Sequence, residues 1–355
     1  METIIITILF AIYSFIFGFL LHRHLVTSNE KYTIRKANIT GIRWNSQSKP
    51  ILGGLTFYSL FIFGIINYVV LIRGNFLTNP VSIGILLVVT MAFIIGLSDD
   101  LLNTSPSFKF AGQIACALML INFNIYIKIF EVPMLNYLLT IFWVVGMMNS
   151  INMLDNMDAI TSSISTVIFG FILFLVCTID FGYDRWFFVM LILSAINALV
   201  SFLIFNWHPS KMYMGDNGSM FLGALLAILG ILFVWNIPGE ELPHRGFTPL
   251  LLIVLTYLIP ITDTTTVSIN RLLQGKSPFV GGRDHTTHHL SYLGLSDRQV
   301  ALVLIFISLI STFLAGYLLT HYSSPNINTL LQFAIFPVLV FVFLYSLTRF
   351  VKQKK

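Results

Sequence analysis

Residues 80–100 read PVSIGILLVVTMAFIIGLSDD, an apolar run that closes on two adjacent carboxylates, Asp99 and Asp100. At ~1.5 Å rise per residue, the stretch 80–98 is long enough to cross a hydrocarbon core of about 30 Å, so it reads as a membrane span and not as a buried core helix. Comparable runs lie at 2–21, 51–72, 110–127, 134–149, 160–179, 186–205, 218–236, 247–267, 299–320 and 328–348. The whole chain agrees with this reading. Of its 355 residues, 56% are apolar and 10% charged, with a mean hydropathy of +0.86. So little polar surface excludes a soluble globule.

The expectation is an all-α, polytopic integral membrane protein with about eleven transmembrane helices, forming a single domain over 1–355. The first run has no basic stretch before it and no small-residue cleavage site after it, so it is expected to be a retained span and not a signal peptide. Cys116 and Cys177 both fall inside expected spans and are read as small buried side chains without chemistry. The bilayer is the expected partner, with no nucleic acid, and a homodimer is left open.

Lys and Arg are retained on the cytoplasmic side of membrane proteins. Of the 20 in this chain, 16 collect in the loops 22–50 and 268–298, at Lys109 and Lys211, and in the tail. Only Arg73, Lys128, Arg185 and Arg245 fall on the other side. This puts the N-terminus outside and the C-terminus in the cytoplasm, with the protein in the inner (cytoplasmic) membrane. Asp99, Asp100, Asp155, Asp158, Asp216, Asp263 and Asp284 then all sit at or near cytoplasmic span ends. Proton relays and ion pathways keep ionisable groups deep in the bilayer. A site at the inner membrane surface is expected instead, where water-soluble and lipid-borne reactants meet.

Five stretches carry the chemistry. Adjacent carboxylates repel, so Asp99-Asp100 calls for a cation or a shared proton nearby, and Lys109 and Gln113 open the next span. Asn149, Asn152, Asp155 and Asp158 recur at every third position. A tight i to i+3 turn would align them into one polar row, here read as a ligand-binding edge, whereas an α-helix would spread them around its surface. Met214-Gly-Asp216-Asn-Gly-Ser219 leads into a span. A helix start favours anions, and a carboxylate there can hold a hard cation against phosphate oxygens. The loop Gly281-Gly-Arg283-Asp284-His285-Thr-Thr287-His288-His289 offers phosphate contacts, and its three histidines are expected on one helix face. The basic loop before span two ends in Lys49-Pro50-Ile-Leu-Gly53-Gly54.

In order and topology these stretches closely resemble the polyprenyl-phosphate N-acetylhexosamine-1-phosphate transferases, over about residues 45–300. The family elements Pro-x-x-Gly-Gly, Asp-Asp, Asn-x-x-Asn-x-x-Asp-Gly-x-Asp-Gly, Met-Gly-Asp-x-Gly-Ser and a histidine-rich loop match Pro50–Gly54, Asp99-Asp100, Asn149–Asp158, Met214–Ser219 and Arg283–His288. Asn156 and Ala159 stand where the family has glycine, and Thr287 where a histidine is common. The two-glycine Arg-Asp-His loop looks closer to the branch using simple N-acetylhexosamine donors than to the branch making the muropeptide lipid.

The resemblance implies transfer of N-acetylhexosamine-1-phosphate, chiefly GlcNAc-1-phosphate, from a UDP-sugar to undecaprenyl or another polyprenyl phosphate, with release of UMP. This would initiate cell-envelope glycan synthesis, as in cell wall or lipopolysaccharide O-antigen pathways. It implies Mg²⁺, with Mn²⁺ as a substitute, held chiefly by Asp216 with Asp155 and the Asp99-Asp100 region. Asp99 and Asp100 would be catalytic. Asn149, Asn152, Asp158, Lys109, Arg283, His285 and His288 would bind the nucleotide sugar, and Lys49 the lipid phosphate. A transporter or flippase, and a non-catalytic scaffold descended from the family, are the competing readings.

Overall fold

Prolines and short polar side chains set the helix starts, as expected where backbone N–H groups lack partners. In a computed structural model, which describes residues 2–28, 51–238, 247–277, 282–322 and 325–351, the Asn79 side chain accepts from Val81 N before Pro80 opens a helix, and Ser105 does the same for Phe108 N before Pro106. Asp184 caps the helix that begins at Arg185, and Ser296 and Gln299 form a capping box at Asp297. The helices are α1 (Glu2–Thr27), α2 (Gly53–Leu71), α3 (Pro80–Leu102), α4 (Pro106–Asn122), α5 (Pro133–Leu154), α6 (Ile160–Thr178) and α7 (Arg185–Asn206). They continue as α8 (Gly215–Gly230, extended by a π-helical turn Ile231–Trp235), α9 (Phe247–Thr256), α10 (Leu258–Leu273), α11 (Thr286–Tyr292), α12 (Asp297–His321) and α13 (Ile327–Phe350). Among the described residues the only pairing of extended backbone is a single parallel bridge between Ile51 and Tyr213.

The bundle is built around α8. Every residue from Gly215 to Trp235 is buried except Asp216, and the helix packs against α2, α3, α5 and α6. Small residues make this possible, because helices in lipid associate through close backbone approach rather than a hydrophobic driving force. A Cβ added at Gly223 would lie 2.6 Å from Met148 Cα, and one at Gly96 would lie 2.2 Å from the Asp216 carbonyl oxygen. The outer helices show the opposite pattern. Ile4, Ile8, Leu9, Ile12, Ile16 and Leu20 of α1 are all about half exposed, and α12 and α13 likewise present Phe306, Phe313, Leu331 and Leu339 outward. Such an exposed apolar surface is stable only against lipid tails. The protein is a multi-pass membrane protein.

Nine helices among the described residues are long and apolar enough to cross a membrane, and α9 with α10 makes a tenth if that pair, bent by 88°, counts as one span. The remaining expected span, 110–127, corresponds to α4, which is a shorter helix of 17 residues. At the α9–α10 break Tyr257 is fully buried and donates its hydroxyl proton to Leu226 O of α8 at 2.7 Å.

Candidate active site

The site forms where the N-terminus of α8 meets the C-terminal ends of α3 and α5. The segment before α2 zips onto the chain entering α8, with Gly53 N donating to Tyr213 O (3.1 Å) and Gly54 N to Met214 O (3.0 Å). Only glycine fits at position 54, since a Cβ there would fall 2.0 Å from Asn217 Oδ1 and 2.3 Å from Gly218 N. The glycine pair and the Met-Gly-Asp stretch, separated by over 150 residues of sequence, are thus one local structure. Lys49 and Pro50 lie outside the described residues.

Asp99 and Asp100 share the last turn of α3 but serve different partners. Asp100 caps α8, its Oδ1 accepting from Asp216 N (3.0 Å) and its Oδ2 from Asn217 N (2.9 Å). The helix start does attract an anion, and that anion is the protein's own carboxylate. Asp99 instead accepts from Thr104 Oγ1 (2.7 Å) and Lys109 Nζ (3.1 Å). The same ammonium lies 3.1 Å from Asp216 Oδ2. Lys109 is therefore the cation that the carboxylate pair called for, bridging Asp99 and Asp216. On its other oxygen Asp216 accepts from Asn152 Nδ2 (3.2 Å), which also donates to Ser219 Oγ (2.8 Å). The three bridged side chains keep 15–23% of their surface exposed, so reactants can reach them.

Magnesium takes one or two carboxylates, substrate phosphate oxygens and water. Among the described residues no three His, Cys, Asp or Glu side chains gather into a ready-made metal cage. The pair Asp99 and Asp216, already sharing one cation, fits the lighter requirement.

The expected single row of Asn149, Asn152, Asp155 and Asp158 does not form. α5 stays α-helical to Leu154, so side chains three apart drift around it. Asn149 exchanges hydrogen bonds with Gln113 of α4 (2.7 and 3.3 Å) and donates to Val145 O. Asn152 reaches Asp216. Asp155 closes α5 as its C-cap. Asp158, 7% exposed, turns away to accept from His208 Nδ1 (3.0 Å), Ser210 N (3.0 Å) and Ser210 Oγ (2.9 Å), bracing the loop between α7 and α8. His208 also lies 3.2 Å from Asp297 at the start of α12.

The histidines are likewise not on one face. His285 precedes α11 and its Nδ1 sits 2.8 Å from Asp263 Oδ2 of α10, whose other oxygen accepts from Thr286 N and Oγ1. His288 packs edge-on against His285, with ring centroids 5.5 Å apart, while the His289 Nδ1 turns to Val351 O, 2.7 Å away. Burial brings the His288 pKa down to about 3, so its imidazole is neutral at physiological pH. Asp284 forms a two-pronged pair with Arg271 (2.8 and 2.7 Å), and this outweighs burial to hold its carboxyl below the usual range. Arg283 is exposed beside it. Asp263, Arg271, Gly96, Thr104 and His208 are thus structural members of the site that motif reading did not assign. A carboxylate or arginine close to a helix end was the available signal for the first two.

Residues 82–234 match the family model described as Glycosyl transferase family 4. The chain is 28% identical over 270 residues to a probable undecaprenyl-phosphate N-acetylglucosaminyl 1-phosphate transferase of Bacillus subtilis, covering 74% of this chain and 71% of that protein. It is 26% identical to a decaprenyl-phosphate N-acetylglucosaminephosphotransferase of Mycolicibacterium smegmatis, covering 73% and 69%. A phospho-N-acetylmuramoyl-pentapeptide-transferase of Streptococcus pneumoniae is 28% identical, covering 74% and 82%. With its motifs assembled at one end of the bundle, the chain is a membrane enzyme related to the polyprenyl-phosphate sugar-1-phosphate transferases and similar over residues 82–234 to glycosyl transferase family 4.

Proposed function

We propose that this protein transfers N-acetylglucosamine 1-phosphate from UDP-N-acetylglucosamine to undecaprenyl phosphate, at the cytoplasmic face of the inner membrane. The observation that carries the reading is the Asp99–Lys109–Asp216 bridge at the mouth of the buried helix α8. It supplies both charge signs, as two polyanionic reactants require. The names of the relatives support the donor and acceptor classes. Eleven spans, with α4 as the fourth, and an outward N-terminus complete the proposal, supported by the distribution of Lys and Arg.

An oxygen of the lipid phosphate attacks the β-phosphorus of the donor. The bond from that phosphorus to the oxygen bridging the α- and β-phosphates breaks, UMP departs with that oxygen, and a new pyrophosphate joins sugar to lipid. Asp99 orients the attacking phosphate or takes its proton, since Asp100 has both oxygens engaged by α8. Asp216 and Asp99 would hold Mg²⁺, which when bound neutralises charge on the pyrophosphate. Lys109 keeps the carboxylates together before substrate arrives and then donates to phosphate oxygens. Asn152 holds the Asp216 carboxylate in orientation. His288, being neutral, suits a sugar or base hydrogen bond better than a phosphate charge, whereas the exposed Arg283 suits the phosphate.

The test is UMP release by purified protein in detergent, given undecaprenyl phosphate and a panel of UDP-N-acetylhexosamines with and without Mg²⁺. Release that requires lipid, metal and UDP-N-acetylglucosamine is the expected outcome. A folded protein that is silent across the panel would remove the reading.

A further inference from the structure

The two positions that look like independent losses from the family pattern touch each other. Thr287 Oγ1 donates to Asn156 Oδ1 at 2.7 Å, across 131 residues of sequence. Asn156 Nδ2 donates in turn to Met153 O at 2.9 Å, in the turn that ends α5. Both ends of the amide are thus used, one to fasten its own turn and one to hold α11. Thr287 is wholly buried. A glycine at 156 would offer no side-chain acceptor, and a hydroxyl left unpaired in this interior would be costly, so the two residues suit each other.

We propose that Asn156 and Thr287 are a matched pair of positioning residues that fixes the histidine helix α11 against the asparagine–aspartate wall of the donor site. Hydrogen bonds from several directions hold α11 in place. Asp263 of α10 grips its start, and Val351 after α13 grips His289. Val351 anchors it to the outer framework, Asp263 reaches α5 only through α10, whose Pro260 O and Thr264 Oγ1 bond Ser150, and the Thr287–Asn156 bond links α11 directly to the segment carrying Asn152 and Asp155. Thr287 stands between His285 and His288, and Asn156 follows Asp155 directly. The bond therefore sets the gap between the two walls that would enclose the UDP-sugar. The Asp99–Lys109–Asp216 bridge has its own hydrogen bonds and does not depend on it.

This inference rests on the transfer reaction proposed above. Its test compares wild type, Asn156→Ala, Thr287→Val, the double variant and Thr287→Ser, reading kcat and the KM for UDP-N-acetylglucosamine in the UMP-release assay, alongside thermal unfolding. Each single change is expected to raise donor KM about tenfold with kcat within about threefold, and the double to be no worse than the worse single. Thr287→Ser, which keeps the hydroxyl, should stay close to wild type. Unchanged KM in an active wild-type background overturns the positioning role alone, as does additive loss in the double variant. Single variants that cannot be recovered folded would make the pair structural and overturn it too. A wild-type protein that releases no UMP overturns the reaction, and this role with it.

Discussion

Two aspartates from different motifs have different tasks. Asp216 is the single solvent-reaching residue of α8 and faces Lys109, while Asp158 is buried in the grip of His208 and Ser210. Asp216→Asn should therefore cut UMP release by about a hundredfold or more in a folded protein, as loss of a charge at a phosphoryl-transfer centre does. Asp158→Asn should lower the unfolding midpoint while the surviving folded fraction keeps donor KM near wild type. Joint kinetics and thermal unfolding on the same preparations separate the two outcomes. Ala159 offers a converse case. It holds φ at +66°, a left-handed conformation costly for any residue with a Cβ, and its N–H is fixed by Asn206. Ala159→Gly should stabilise the protein by about 1 kcal/mol, seen as a higher unfolding midpoint without change in KM.

At the scale of elements, what matters is how closely helices approach. Gly54 of α2 lies against Gly218 of α8, and Gly96 of α3 lies against the Asp216 carbonyl. Gly54→Ala should push α2 off α8 and cost about 1–3 kcal/mol, with most of the activity lost because Asp216 shifts with the helix start. Measured turnover near wild type in a stable Gly54→Ala protein would contradict this packing. The same elements show what could be read beforehand. Asp99, Lys109, Asn152 and Asp216 were legible because each combines a polar type with a span end, and the family pattern contains all of them but Lys109. Their division of labour was not, because consecutive helical residues point about 100° apart and sequence does not give the rotation of α3. That angle sends Asp99 to Lys109 and Asp100 to α8. The polar row failed for a similar reason, since a period of three was set against the 3.6 of an unbroken helix. Tertiary partners such as His208 for Asp158 carry no local signal at all.

On the scale of the whole molecule, a central helix buried at every position but Asp216, inside lipid-facing ones, was foreseeable only in part. Apolar runs mark spans, but α1 and α8 read alike until the small residues of α8 are given neighbours. The orientation has a direct test. With Cys177, which is exposed, changed to alanine, Arg283→Cys should react with a membrane-impermeant maleimide only when the cytoplasmic face is accessible. Labelling from outside would invert the proposed topology. Chelation should abolish UMP release and added Mg²⁺ should restore it, with the fold intact throughout.

The central position of α8 also bears on how the enzyme is made. Ribosomal synthesis delivers α2, α3, α5 and α6 before α8, and those four form the wall into which it fits. α8, with Asp216 at its tip, thus follows in synthesis the helices that enclose it. By residue 235 the nascent chain carries Asp99, Lys109, Asn152 and Asp216 but neither Asp263 nor α11. The half of the site built on the Asp99–Lys109–Asp216 bridge can assemble first, and the half that carries Asp263 and the histidine helix joins it only once α10 and α11 have emerged.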